Sequence, residues 1–152
     1  MNKLEVLREC ELFKELDDEQ LKLMEEMCIS KVYEPGELLC KQGKSTDKFY
    51  VIQEGLVVIL LETGLLSHHQ VQAASSYDMV GWSSMSGPKV PCTATAQAME
   101  KTTVLVFDSK QVTDACTADA LLGRKICTGI ARTLAERLRS AFTQLMGVTA
   151  QD

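Results

Sequence analysis

The chain has 152 residues, 45% hydrophobic and 24% charged, with a formal net charge of −5. That length can bury a core in one domain without covalent staples, and the acidic balance argues against nucleic acid as the main partner. No apolar run approaches the length of a membrane span and the N-terminus, MNKLEVLREC, is too charged for a secretion signal, so a cytoplasmic protein with no membrane contact is expected.

Six cysteines, at positions 10, 28, 40, 92, 116 and 127, show no C-x-x-C and no regular spacing. They read as small buried hydrophobes rather than a disulfide framework or a zinc site. Charge is uneven. Residues 1–40 carry eleven carboxylates against five Lys or Arg, and residues 121–152 carry five Lys or Arg against two carboxylates. Opposite ends could dock on one another or on a second subunit, although a solvated face is the commoner reason for such runs.

In chain order, a short helix runs through Leu4 and Leu7, and Leu12-Phe13 follow as a hydrophobic anchor. Asp17 is placed to cap a second helix with Gln20 at its third position, and Leu21, Met24, Met27 and Cys28 form its apolar face. From Ser30 the apolar period becomes two, with turns every eight to twelve residues, which is the pattern of a sandwich or barrel. Strands are expected at 31–33, 38–41, 49–53, 56–62, 67–73, 79–80, 93–98 and 102–107, punctuated by Pro35-Gly36, Gln42-Gly43, Glu54-Gly55 and Thr63-Gly64. Asp108-Ser109 can cap a short helix through Val112, and Thr117 a long one reaching about Met146.

On that last helix Cys127, Ile130, Leu134, Leu138, Ala141 and Leu145 recur at steps of three and four, a narrow apolar stripe with Thr133 and Arg137 beside it. Such a stripe needs a partner surface: either the chain's own strands or, as expected here, a homodimer seam through Ile130, Leu134, Leu138 and Ala141.

The stretch 77–98, YDMVGWSSMSGPKVPCTATAQA, interrupts the strands. It holds the only Trp, two of the three prolines and many small residues that would let a ligand or another backbone approach closely. A polar loop entering one helical turn at 81–85 would offer N–H groups to an anion. The plain alternative is a surface loop that closes a barrel.

The elements together resemble a known family. Leu12-Phe13, Leu16, Tyr33, Pro35-Gly36-Glu37, Gln42-Gly43, Asp47, Phe49-Tyr50-Val51-Ile52, Glu54-Gly55 and Val57 resemble the opening half of the cyclic nucleotide-binding domain family. That family includes catabolite-activator-like regulators, regulatory subunits of cyclic-AMP-dependent kinase and domains of cyclic-nucleotide-gated channels. The resemblance runs from about Leu12 into the last helix. It implies a mainly β fold with α: a double-stranded β-helix, or jelly-roll-like β-roll, at about 30–108, flanked by helices at about 3–28 and 109–146, in a single domain.

The stretch 77–98 then corresponds to the family's phosphate-binding cassette, approximately G-D-x-F-G-E-L-A followed by R-T/S-A-T. Asp78, Gly81, Thr93, Ala94 and Thr95 fall on matching positions. Trp82 stands where the family has the Glu that accepts the ribose hydroxyl, and Cys92 where it has the Arg that pairs the cyclic phosphate. A thiol cannot replace a bidentate guanidinium contact. The resemblance therefore implies a non-catalytic sensor whose pocket, formed by Val80, Gly81, Trp82, Ser83, Ser84, Lys89, Cys92, Thr93 and Ala94, holds a cyclic nucleotide weakly or takes another small molecule. Lys89 is the one cation near the cassette. No DNA-binding domain is expected in this chain, since the helix-turn-helix segment that transcription regulators of the family carry after the long helix is not found within these residues.

The alternatives are a scaffold that kept the fold for protein contacts, and a haem or metal redox sensor. The latter is weakened by His68 and His69, which as strand neighbours face opposite sides, and by the lack of further ligands at metal spacing. An esterase reading through Gly81-Trp82-Ser83-Ser84-Met85 lacks the second glycine of a nucleophile elbow and an acidic partner for either histidine.

Overall fold

A computed structural model of the protein describes residues 2–150. Helix α1 (Lys3–Glu9), a 3₁₀ turn (Glu11–Phe13) and α2 (Asp18–Met27) precede eight strands. These are β1 (Cys28–Tyr33), β2 (Leu38–Cys40), β3 (Lys48–Glu54), β4 (Val57–Glu62), β5 (His68–Ala74), β6 (Met79–Val80), β7 (Thr95–Ala98) and β8 (Thr102–Asp108), with a 3₁₀ turn at Trp82–Met85 between β6 and β7. Helices α3 (Ser109–Ala118) and α4 (Ala120–Ala150) follow. The strands form two four-stranded sheets, β1-β8-β3-β6 and β2-β7-β4-β5, paired antiparallel throughout. This is the mixed, two-sheet roll with a long C-terminal helix that the sequence implies.

Both faces of the first sheet are covered, which explains its near-continuous apolar sequence. Along β3, Tyr50 and Ile52 point into the roll with Leu39, Val57, Ala96 and Val104, whereas Phe49 and Val51 point to the helices with Leu7, Phe13, Met24 and Ile126. Phe107 stacks on Phe49 at 4.8 Å between ring centroids and lies 5.5 Å from Phe13, tying β8, β3 and the N-terminal 3₁₀ turn into one cluster. Helix α4 crosses that turn so closely that a Cβ on Gly129 would stand 2.0 Å from the Leu12 carbonyl oxygen.

Several boundaries differ from those expected. Asp17 accepts the Gln20 N–H and Gln20 returns the bond, as a capping box should, but α2 ends at Met27. Cys28 belongs to β1, where its pairing opposite Phe107 in β8 extends the strand beyond what the local pattern shows. Asp108 caps α3 through the Gln111 N–H as expected. Thr117 is not the cap of α4: it lies inside α3 and donates to the Thr113 carbonyl, and Asp119 accepts the N–H groups of Leu121 and Leu122 instead. Residues 93 and 94 precede β7 rather than opening it.

The α4 stripe is divided by what it meets. Ile130 is partly buried against the chain's own core, while Leu134, Leu138 and Phe142 remain 38%, 54% and 57% exposed. Ala141 is half-buried. No helix among the described residues is long and apolar enough to cross a membrane.

Candidate functional site

The site grows from the turn that follows β6. Gly81 takes a left-handed backbone (φ 87°) that lets the chain leave β6 and enter the 3₁₀ turn, and a Cβ there would meet the Lys48 carbonyl oxygen at 3.2 Å. The turn uses its own donors. Ser84 N–H donates to the Gly81 carbonyl at 3.2 Å, so that N–H, expected to point outward toward an anion, is committed internally. The Ser84 hydroxyl bonds the same carbonyl and the Ser109 hydroxyl at the start of α3. No histidine is among its partners, and His68 and His69 are both exposed on β5.

On the roll side of this turn, Cys40, Ile59, Val80, Gly81, Trp82, Ser83, Cys92, Thr93, Ala94 and Ala96 line a cavity of about 20 Å³. That is room for about one water. Seven of the nine residues expected in the pocket are therefore brought together. Ser84 and Lys89 are not: both border a separate groove with Ser45, Asp47, Asp108 and Lys110, and Lys89 is exposed with φ 68°.

Three lining residues, Cys40, Ile59 and Ala96, were not expected. They come from β2, β4 and β7, and only sheet closure places them here. Cys40 and Cys92 both line this cavity, and burial, reinforced by Cys92, pushes the Cys40 thiol up to about 12.

The other unexpected participant is Arg137. Its guanidinium lies 5.3 Å from the centroid of the Trp82 ring and donates to the Met79 carbonyl (2.9 Å) and to Gln72 Oε1 (3.1 Å). Gln72 Nε2 donates in return to the Arg137 carbonyl at 2.9 Å. Burial lowers the Arg137 side chain from its ordinary value, opposed by the charge of Asp78. Trp82, half-buried, also packs against the core beneath the N-terminal helices. The indole is thus contacted by Arg137 of α4 while it also lines the cavity.

Residues 30–119 match the family model described as cyclic nucleotide-binding domain. The chain belongs to the cyclic nucleotide-binding domain family. Solved structures agree on the fold. A cyclic nucleotide-binding domain from Methylobacillus flagellatus KT superposes with a TM-score of 0.82 at 17% identity, covering 95% of this chain and 81% of that one. The catabolite activator protein of Thermus thermophilus gives 0.72 at 20% identity over 91% and 63%. A mutant regulatory subunit of a cAMP-independent protein kinase A from Trypanosoma brucei, bound to cAMP in its A site, gives 0.73 at 17% over 87% and 46%. No curated protein matches the sequence. Cyclic nucleotide-binding domains are non-catalytic regulatory modules, and so is this one.

As such a domain it has an unusual residue set. None of the cavity's ten lining residues is a cation or a carboxylate, and the volume is more than tenfold below the roughly 300 Å³ at which small-molecule pockets begin. None of them supplies the counter-charge that a cyclic phosphate removed from water calls for in the absence of several donors. Among the described residues no three His, Cys, Asp or Glu side chains are placed to hold a metal ion.

Proposed function

We propose that the chain is a regulatory module that has kept the family's fold, does not hold a cyclic nucleotide at the affinity of members carrying both the cassette Arg and Glu, and works as a homodimer through α4. The observation that carries the ligand reading is the cavity between Cys92 and Gly81, about 20 Å³ and without a charged lining residue. The dimer is supported by the exposed row Leu134, Leu138 and Phe142 on α4. A second reading, a scaffold acting through protein contacts alone, is favoured by Trp82, whose ring is occupied by Arg137 and the core. Haem or metal sensing draws no support from His68 and His69, both exposed.

Calorimetry with cyclic AMP and cyclic GMP tests the ligand reading. Hydrogen bonds to charged groups contribute roughly 1.5–3 kcal/mol each, so the two replaced side chains should weaken binding by about a hundredfold or more. A low-micromolar site for either nucleotide overturns this. The double variant Trp82→Glu, Cys92→Arg separates the two readings: a gain in affinity shows that the cassette backbone is retained, whereas a folded variant with no gain favours the scaffold.

A further inference from the structure

The 3₁₀ turn at Trp82–Met85 borders two separate spaces. Trp82 and Ser83 line the cavity of about 20 Å³, whereas Ser84 and Met85 line a groove of about 800 Å³. Only the groove falls in the range of roughly 300–1,000 Å³ that small-molecule sites occupy. Three segments distant in the chain build it: Ser45, Thr46 and Asp47 ahead of β3, residues 84–89 of the cassette, and the start of α3. They are fastened to one another. The Ser109 N–H donates to the Asp47 carbonyl at 2.9 Å, and the hydroxyls of Ser84 and Ser109, residues 8% and 4% exposed, are hydrogen-bonded. Since the Ser84 proton goes to the Gly81 carbonyl at 3.0 Å, Ser109 donates to Ser84, and the Ser109 oxygen keeps its lone pairs for a donor from outside.

The charged residues of the groove differ in how they are paired. Asp47 and Asp108 share Lys48 at 3.8 and 3.2 Å, and Lys110 holds Asp114 at 2.8 Å. Lys89, exposed in a loop shaped by Gly87 (φ 137°) and Pro88, is the one charged lining residue without an ion pair among the described residues. Met85 and Pro88 of the same loop supply apolar surface. We propose that this groove is a ligand site for a small organic monoanion, with its apolar body against Met85 and Pro88, its anionic end on Lys89 and a hydroxyl or N–H group donating to Ser109 Oγ. A ligand held there touches the cassette turn and α3 at once, so its binding favours the arrangement in which Ser84 and Ser109 stay joined. The proposal goes beyond the nucleotide reading and does not rest on it, because the cavity and the groove share no lining residue.

The test uses the full chain, isotope-labelled, with amide shifts followed by NMR at low salt. The probe is 6-hydroxy-2-naphthoate, which carries an apolar body, one carboxylate and one hydroxyl, and its neutral carboxamide is the comparison. The expected result is saturable shifts centred on residues 45–47, 84–89 and 108–113, with a Kd of about 1 mM or tighter for a probe of this size. The carboxylate should bind about fivefold tighter than the carboxamide, and the two should bind alike in Lys89→Gln. Thr113→Trp, on an exposed position of α3 that lines the groove, should fill it and remove the shifts. Shifts centred on α4 at 134–142 or on 92–94, no saturation by about 5 mM, or a carboxamide that binds as tightly as the carboxylate overturns the proposal. The parent chain with the two probes decides the matter should either variant fail to fold. Cyclic AMP added in their place tests the nucleotide reading through the amides of 92–94, so each reading can fail without the other.

Discussion

Replacing Arg137 with Met tests whether α4 is tied to the cassette through this one side chain. Met keeps an apolar stem of similar length and removes two charged hydrogen bonds, to the Met79 carbonyl and Gln72 Oε1, together with the contact over Trp82 at 5.3 Å. The bond from Gln72 Nε2 to the residue 137 carbonyl survives, because it uses the backbone. Charged hydrogen bonds contribute about 1.5–3 kcal/mol each and a cation–π contact about 0.5–1, but the variant also recovers the cost of holding a guanidinium away from water. The net loss should be about 2 kcal/mol, or about 4–8 °C in Tm for a domain of this size. Urea unfolding followed by circular dichroism gives the stability. Because Trp82 is the only Trp, fluorescence emission reports the site directly and should shift to the red as the indole loses its cover. A variant within about 0.5 kcal/mol of the parent, with an unchanged spectrum, would show that α4 is held elsewhere and that Arg137 is incidental.

Three further outcomes are expected. Gly129→Ala should destabilise by about 1–3 kcal/mol despite a helix propensity gain of about 1, because its Cβ meets Leu12 backbone at 2.0 Å; Gly147→Ala, with nothing within 4 Å, should not, and equal urea midpoints for both would refute the close crossing. Leu138→Glu should convert a dimer to monomer in light scattering at micromolar concentration without unfolding it, since this side chain is 54% exposed within one chain; a monomeric parent would end the dimer proposal. The Asp108 carboxyl is held below its usual 3.8 by the Gln111 N–H and then by Lys48, so its contribution is present above about pH 4 and lost as pH falls through the lowered value. Asp108→Asn, which can still cap α3, should be less stable than the parent by under about 1 kcal/mol at neutral pH. That difference should begin to shrink as pH falls to about 3.8 and vanish only below the lowered folded-state value, in acid titrations at fixed urea; a difference independent of pH would assign it to the cap alone.

The local features of this protein were present in its sequence. The capping residues Asp17 and Asp108 act over three residues, the strands follow a period of two, and Gly36 and Gly55 take the positive φ that their turns demand. Residues 49–52 and 104–107 are apolar at every position because their sheet is covered on both faces, and the order of these runs with the glycines sufficed to identify the family. What the tertiary structure alone decided lies between elements distant in the chain. It turned Lys89 away from the cavity, gave Ile130 to the core while leaving Leu134 exposed, and made Gly129 a crossing point for Leu12. It also brought Cys40 and Cys92 to one cavity and set Arg137 over Trp82. Alternation tells which face a side chain occupies, but register, sheet closure and the rotation of a helix about its axis choose what that face meets. Those are settled by the packing of the whole chain, and no window of sequence contains them.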